Sequence, residues 1–355
     1  MKLPCITMLA TLLLTGPAAA QLQITPPATI PSTTPEKQKP APAKKKEAAP
    51  KPAASPKPAP SVKPTPAPTV IPAPPTDNSN ADLVYGAYQR GQYKTAFELA
   101  TARAQAGDPK AMTMLGELYS NAMGIRRDYA KAAEWYKRAA DAGDREAMFA
   151  LAMLRISGRG GPVDKGEAVK LMASAAKLGE PRAAYNLALL YLDGQTLPQD
   201  VKRSAELLRQ AADAGLPEAQ YALATFYKEG TGVPKDPERA VRLLQAASLA
   251  DNVDAEVEYA IAMFNGTGTP KNQPAAVALL RKASRQGSAI AQNRLAWVLI
   301  NGVGTTMDKV EGFKWHLVAK TAGKGDPELD KQLSDLPAEE RAKAEAAAKK
   351  WLGNK

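Results

Sequence analysis

One cysteine, Cys5, and one histidine, His316, are all that 355 residues offer of the side chains that most often ligate transition metals or attack as nucleophiles. That scarcity leaves no histidine or cysteine cluster for zinc and no disulfide framework for the sequence to use. Aromatic residues make up only 6% of the chain, and no stripe of basic and aromatic residues suggests a nucleic-acid surface. Long apolar runs are missing as well. The stretch "ITMLATLLLT" near the N-terminus is about half of the roughly 20 residues that cross a bilayer.

That stretch follows Lys2 and runs into "GPAAA", the small-x-small ending of a cleaved secretory signal. Residues 1–20 are expected to direct export to the periplasm or the medium of a Gram-negative bacterium, with no transmembrane segment left after cleavage. Cys5 precedes the apolar run, where a lipid-attachment cysteine would have to follow it. Residues 21–80 hold 17 of the 30 prolines, eight lysines and three acidic residues. This composition lacks the apolar side chains of a core and favours extended chain, so a disordered tether is expected. The formal charge of +11 divides into +1 from Lys2, +5 from the tether and +5 from residues 81–355. The remainder is therefore only mildly basic for its size.

The phrase "GTGVPKD" at 230–236 has the look of a phosphate-cradling loop, yet the residues before it have helical spacing, whereas such a loop follows a strand. Equivalent phrases, "DGQTLPQD" and "NGTGTPKN", lie 36 residues to either side. Counting positions from Gly107, six 36-residue units align without a gap. Position nine is Leu115, Leu151, Leu187, Leu223, Tyr259 and Leu295, and position ten is always Gly or Ala. Small residues at fixed points let helix backbones approach closely, so each unit reads as a helix hairpin spanning positions 3–14 and 22–35. Glycines at positions 16 and 18 mark the end of the first helix. Asp128, Asp164, Asp200, Asp236, Asn272 and Asp308 at position 22 supply the cap of the second.

The run A-x-x-x-L-[GA]-x-x-Y, as in "AAYNLALLY" and "AQYALATFY", together with the glycine loop, the capping aspartate and the closing "AADAG", resembles the Sel-one-like repeat family. That family is a branch of the tetratricopeptide-like solenoids. The resemblance implies an all-α fold, a right-handed α/α superhelical solenoid behind an N-terminal disordered tether. Residues 107–322 would form the repeats, 81–106 an opening cap hairpin turning at "RGQ", and 323–355 closing helices, with Asp335 starting the last one. One unit alone buries too little apolar surface to offset the ordering of its backbone, so neighbours must stack.

His316 falls at position 30, a packing slot elsewhere held by Tyr136, Met172, Leu208, Leu244 and Leu280. A structural role is expected for it. No catalytic residue, cofactor or metal is expected, and the protein reads as a binder rather than an enzyme. The first-helix positions 4, 8, 11 and 15 share one face and vary from unit to unit, as a groove lining would. Position 11 is Glu117, Met153, Leu189, Thr225, Ile261 and Trp297, with Trp297 the strongest candidate anchor. Lys110, Glu146, Arg182, Glu218, Asp254 and Arg294 add a lining of mixed sign. The expected partner is a peptide or helix of another periplasmic or envelope protein, with no nucleic acid. The alternative is an envelope-polymer binder whose basic tether contacts peptidoglycan or acidic polysaccharide.

Overall fold

A computed structural model describes residues 79–353, with side chains from residue 83 onward. The signal segment, nearly all of the tether and Cys5 lie outside the described residues. Sixteen consecutive helices and no strand occur among the described residues. An opening hairpin, α1 (Ser79–Gln89) and α2 (Tyr93–Gln105), turns through Arg90-Gly91-Gln92. Six two-helix units follow. Their first helices are α3 (Pro109–Asn121), α5 (Arg145–Ser157), α7 (Pro181–Asp193), α9 (Pro217–Glu229), α11 (Val253–Asn265) and α13 (Ala289–Asn301). Their second helices are α4 (Tyr129–Asp141), α6 (Lys165–Lys177), α8 (Val201–Asp213), α10 (Pro237–Leu249), α12 (Gln273–Arg285) and α14 (Lys309–Thr321). The array closes with α15 (Pro327–Ser334) and α16 (Ala338–Gly353).

Each unit hairpin forms for reasons visible in its residues. The first helix ends on a left-handed residue at position 16, which is glycine in five units and Ala122, at φ 57°, in the first. The second helix begins on position 22, where every side chain accepts the backbone N–H three residues on. These distances run from 2.8 Å for Asp164 to 3.1 Å for Asn272. The first helices also have caps, at position 2, which the repeat pattern had not singled out. Asp108, Asp144, Asn252 and Ser288 accept there, while Glu180 and Leu216 do not. Asp335 sits at the C-terminal end of α15 instead of starting α16, which begins after Pro337. Pro337 directly precedes the helix, where its missing N–H costs no helical hydrogen bond.

The glycine at position 18 has a second task. Gly160 packs its Cα against the backbone of Tyr129, and an added Cβ would stand 2.1 Å from that carbonyl oxygen. Gly232 meets Val201, and Gly268 meets Pro237, in the same way. These loops thus rest on the first residue of the preceding second helix. The small residue at position 10 answers to the large one at position 30. A Cβ on Gly116 would lie 2.5 Å from the Tyr136 ring, whereas units with Met or Leu at position 30 carry Ala at position 10. The core is a continuous file of alanines and leucines, with Leu115, Leu151, Leu223 and Leu295 almost wholly buried.

His316 takes its packing slot with 0% exposure. Its Nε2 lies 2.8 Å from an Asp330 carboxylate oxygen, which also receives Lys320 Nζ at 2.8 Å. The hydrogen bonds from Lys320 and His316 hold the Asp330 carboxyl below its ordinary range. This cluster ties the last unit to the closing helices.

Candidate interaction groove

Consecutive first helices touch one another through side chains across every kind of contact. Lys110 reaches Asp144 at 2.8 Å and Glu146 at 3.5 Å. The Arg182 guanidinium lies 5.1 Å from the centre of the Phe149 ring, Lys228 pairs with Glu258 at 2.8 Å, and Phe264 meets Trp297 edge to face at 6.5 Å. The first helices thus line up as one wall of the array, the inner wall that lines the groove of an α/α solenoid.

The seven residues singled out from the sequence fall along this wall in three states. Arg182 and Glu218 are exposed. Met153, Ile261, Arg294 and Trp297 are half-buried. Leu189 is only 7% exposed and is therefore buried instead of presented on a surface. Met153 packs on Ala152, Ala168 and Met172, and Ile261 and Trp297 on the core of the last units, so each offers only an edge outward. Position 11 therefore serves both packing and surface, because the helix face it occupies is partly covered by the next unit.

The structure adds residues that the variable positions did not point to. Position 7 is aromatic in three successive units, as Phe149, Tyr185 and Tyr221, all half-buried on the inner wall. Burial, reinforced by Glu218, raises the Tyr185 hydroxyl above its ordinary range. Burial also pushes Tyr221 up to about 12, with Glu258, Asp254 and Glu229 adding to the shift. Both phenols stay protonated and remain hydrogen-bond donors at any physiological pH. The recurrence of an aromatic at one position in three units is a sequence signal that could have revealed them. Further along, burial lowers Arg294 while Asp326 and Glu258 act in the opposite direction. At the other end, burial raises Glu117, with Glu146 adding to the shift and Arg182 opposing it.

The only histidine is buried, and no described group of three or more His, Cys, Asp or Glu side chains has the arrangement to hold a metal ion. Among the described residues, no helix is long and apolar enough to cross a membrane. What the wall presents is a run of half-buried rings and edges among carboxylates and guanidinium groups, a chemistry of recognition.

The Sel1 repeat matches six times in succession, over residues 109–144, 145–180, 181–216, 217–252, 253–288 and 289–324. The chain belongs to the Sel1 repeat family. Each match begins at position 3 of a unit, the first residue of its first helix, so the two frames describe the same units. Among solved structures, a Sel1 repeat protein from Oxalobacter formigenes superposes with a TM-score of 0.58 at 24% identity, over 68% of this chain and 96% of that one. A protective antigen of uropathogenic Escherichia coli, c5321, which displays the same repeat fold, gives 0.52 at 23% identity over 78% and 68%. No curated protein matches the chain. The Sel1 solenoid is a fold of interaction scaffolds, generally non-catalytic, whose members bind protein partners.

Proposed function

We propose that this Sel1 repeat protein is an exported scaffold or regulator that holds a segment of another envelope protein against the inner wall of its solenoid. The observation that carries this reading is the inner wall itself. Half-buried aromatic and aliphatic edges at Met153, Tyr185, Tyr221, Ile261 and Trp297 alternate there with charged groups. Partly covered aromatic side chains surrounded by polar groups are the usual anchors of polypeptide recognition. Export rests on the composition of residues 1–20, and N-terminal sequencing of the protein isolated from cells tests it directly.

Partner capture is tested by replacing Trp297 with a photocrosslinking aromatic amino acid in cells and identifying what is trapped. Capture at position 297, lost on Met153→Glu but retained on Glu206→Gln of the outer helix α8, is the expected outcome. Capture that is indifferent to Met153→Glu overturns the reading. Leu189 is unsuitable for such a test, since a charge placed at its buried position disturbs packing first. The envelope-polymer alternative rests on the Lys/Pro composition of residues 21–80. Sedimentation with purified wall sacculi, with and without that segment, tests it separately.

A further inference from the structure

The charges of the solenoid are sorted by layer. In the middle of the array, the inner helices α7, α9 and α11 carry six acidic and two basic residues. The outer helices α8, α10 and α12 carry eight basic and three acidic residues. A chain that is basic overall thus presents an acidic stretch on its inner wall.

Two of the acidic residues already have cations. Glu256 is buried against Lys282 at 2.8 Å, and Glu258 takes Lys228 at 2.8 Å. Glu218 and Asp254 are exposed, and neither is ion-paired among the described residues. Acidic residues in the first turn of a helix favourably oppose its dipole. That is not a sufficient account of these two, because the same position holds Lys110 in α3, Arg182 in α7 and Ile290 in α13.

Neighbouring units show what the position can do. One step toward the N-terminus, Arg182 at position 4 covers the ring of Phe149 at position 7 of the unit before it. The ring there is filled by a cation from the chain itself. In the next two steps the ring is Tyr185 or Tyr221, and position 4 supplies Glu218 or Asp254 in place of a cation. An aromatic ring flanked by a carboxylate attracts a guanidinium or ammonium group through both its quadrupole and the adjacent charge.

We infer that Tyr185 with Glu218, and Tyr221 with Asp254, form two successive slots for cationic side chains, and that the segment held by the inner wall is a basic polypeptide. This inference rests on the groove reading and narrows it to one class of partner. Lysines or arginines of the bound segment occupy the places that Arg182 occupies internally, and apolar residues of the segment reach the Ile261 and Trp297 edges beyond. Arg182 and Arg294 stand at the two ends of the acidic stretch and discourage a longer basic run.

The test uses the full chain and two fluorescein-labelled decapeptides, one with four arginines among alanines and leucines, the other with glutamates in their place, read by fluorescence anisotropy. The arginine peptide is expected to bind at least about ten-fold more tightly than the glutamate peptide, with affinity falling as salt rises. Combined Glu218→Gln and Asp254→Asn should weaken it about five-fold or more, as the loss of two exposed charge contacts implies. Glu218→Arg, which recreates the Arg182–Phe149 arrangement one unit further on, should weaken it further. The outer variants Glu206→Gln and Glu238→Gln should leave binding and circular dichroism unchanged. No binding of the arginine peptide, equal binding of the two peptides, or equal effects of inner and outer variants overturns the inference. If crosslinking at position 297 still captures a partner under any of those results, the groove reading survives and only the cationic rule fails.

Discussion

At the residue scale, Glu256 shows how a polar side chain at one position of the repeat can be accommodated in two ways. In α9 and α13 the same position is Gln220 and Gln292, whose amides donate to the carbonyls of Ala212 and Ser284, eight residues earlier. Glu256, wholly buried, cannot donate while ionised and instead depends on Lys282. Glu256→Gln should restore the amide pattern, with Ser248 as acceptor, and leave stability unchanged or raised. Lys282→Met should cost roughly 3–5 kcal/mol by stranding a buried carboxylate. Urea melts of the two variants check both, and a tolerated Lys282→Met would show that the carboxylate finds solvent.

Glu117 gives a pH signature at the same scale. Its folded carboxyl lies above the ordinary range, chiefly through burial. The ionised form is therefore a cost, present above the folded pKa and relieved as the pH falls toward the unfolded value. Asp330 works in the opposite sense, because its depressed carboxyl contributes stability that is lost as the pH falls through its folded value. Glu117→Gln should raise the melting temperature at pH 7 and leave it nearly unchanged at pH 3.5. A gain of equal size at both pH values would contradict the burial argument.

At the scale of the element, the glycine loop turns out to be part of the joint between units. Gly143, with φ 90°, has nothing within reach of an added Cβ, so Gly143→Ala should cost only the left-handed backbone penalty, about 1 kcal/mol. Gly160→Ala meets the Tyr129 backbone as well and should cost more than about 2 kcal/mol, because the loop must lift off the preceding helix. Chemical denaturation of the pair measures the difference, and equal costs would mean that the loop does not bear on its neighbour. The repeat pattern made the helices, their caps at position 22 and the turn at "RGQ" legible, since all of these depend on residues close in sequence. The caps at position 2 are not legible in the pattern because that position holds Asp, Glu, Leu, Asn or Ser, which dilutes the signal. Position 7 does not stand out among variable positions, because its three successive rings are a regularity.

At the scale of the whole molecule, stability passes from unit to unit and depends on the ends. Trp351 of α16 lies edge to face with the buried Trp315 of α14, ring centres 5.0 Å apart, while Lys314 sits 4.2 Å from the centre of the Trp315 ring. Trp351→Ala should destabilise α13 to α16 and leave α3 to α6 nearly unaffected. Hydrogen exchange resolved along the chain reads this directly. Uniform loss of protection would instead show that the array unfolds as a single cooperative body.

The sequence by itself determined the period, the helices and the family, because a 36-residue spacing of small, apolar, glycine and capping residues permits few other folds. It also fixed which residues share a helix face. Only the tertiary structure decided which of those faces a neighbouring unit covers. Leu189 is withdrawn from the wall while Tyr185 and Tyr221 remain on it beside carboxylates, and Arg182 is placed over the ring of a different unit. Those outcomes depend on the separation and angle between helices that are adjacent in space but 36 residues apart in the chain, and local periodicity does not encode them.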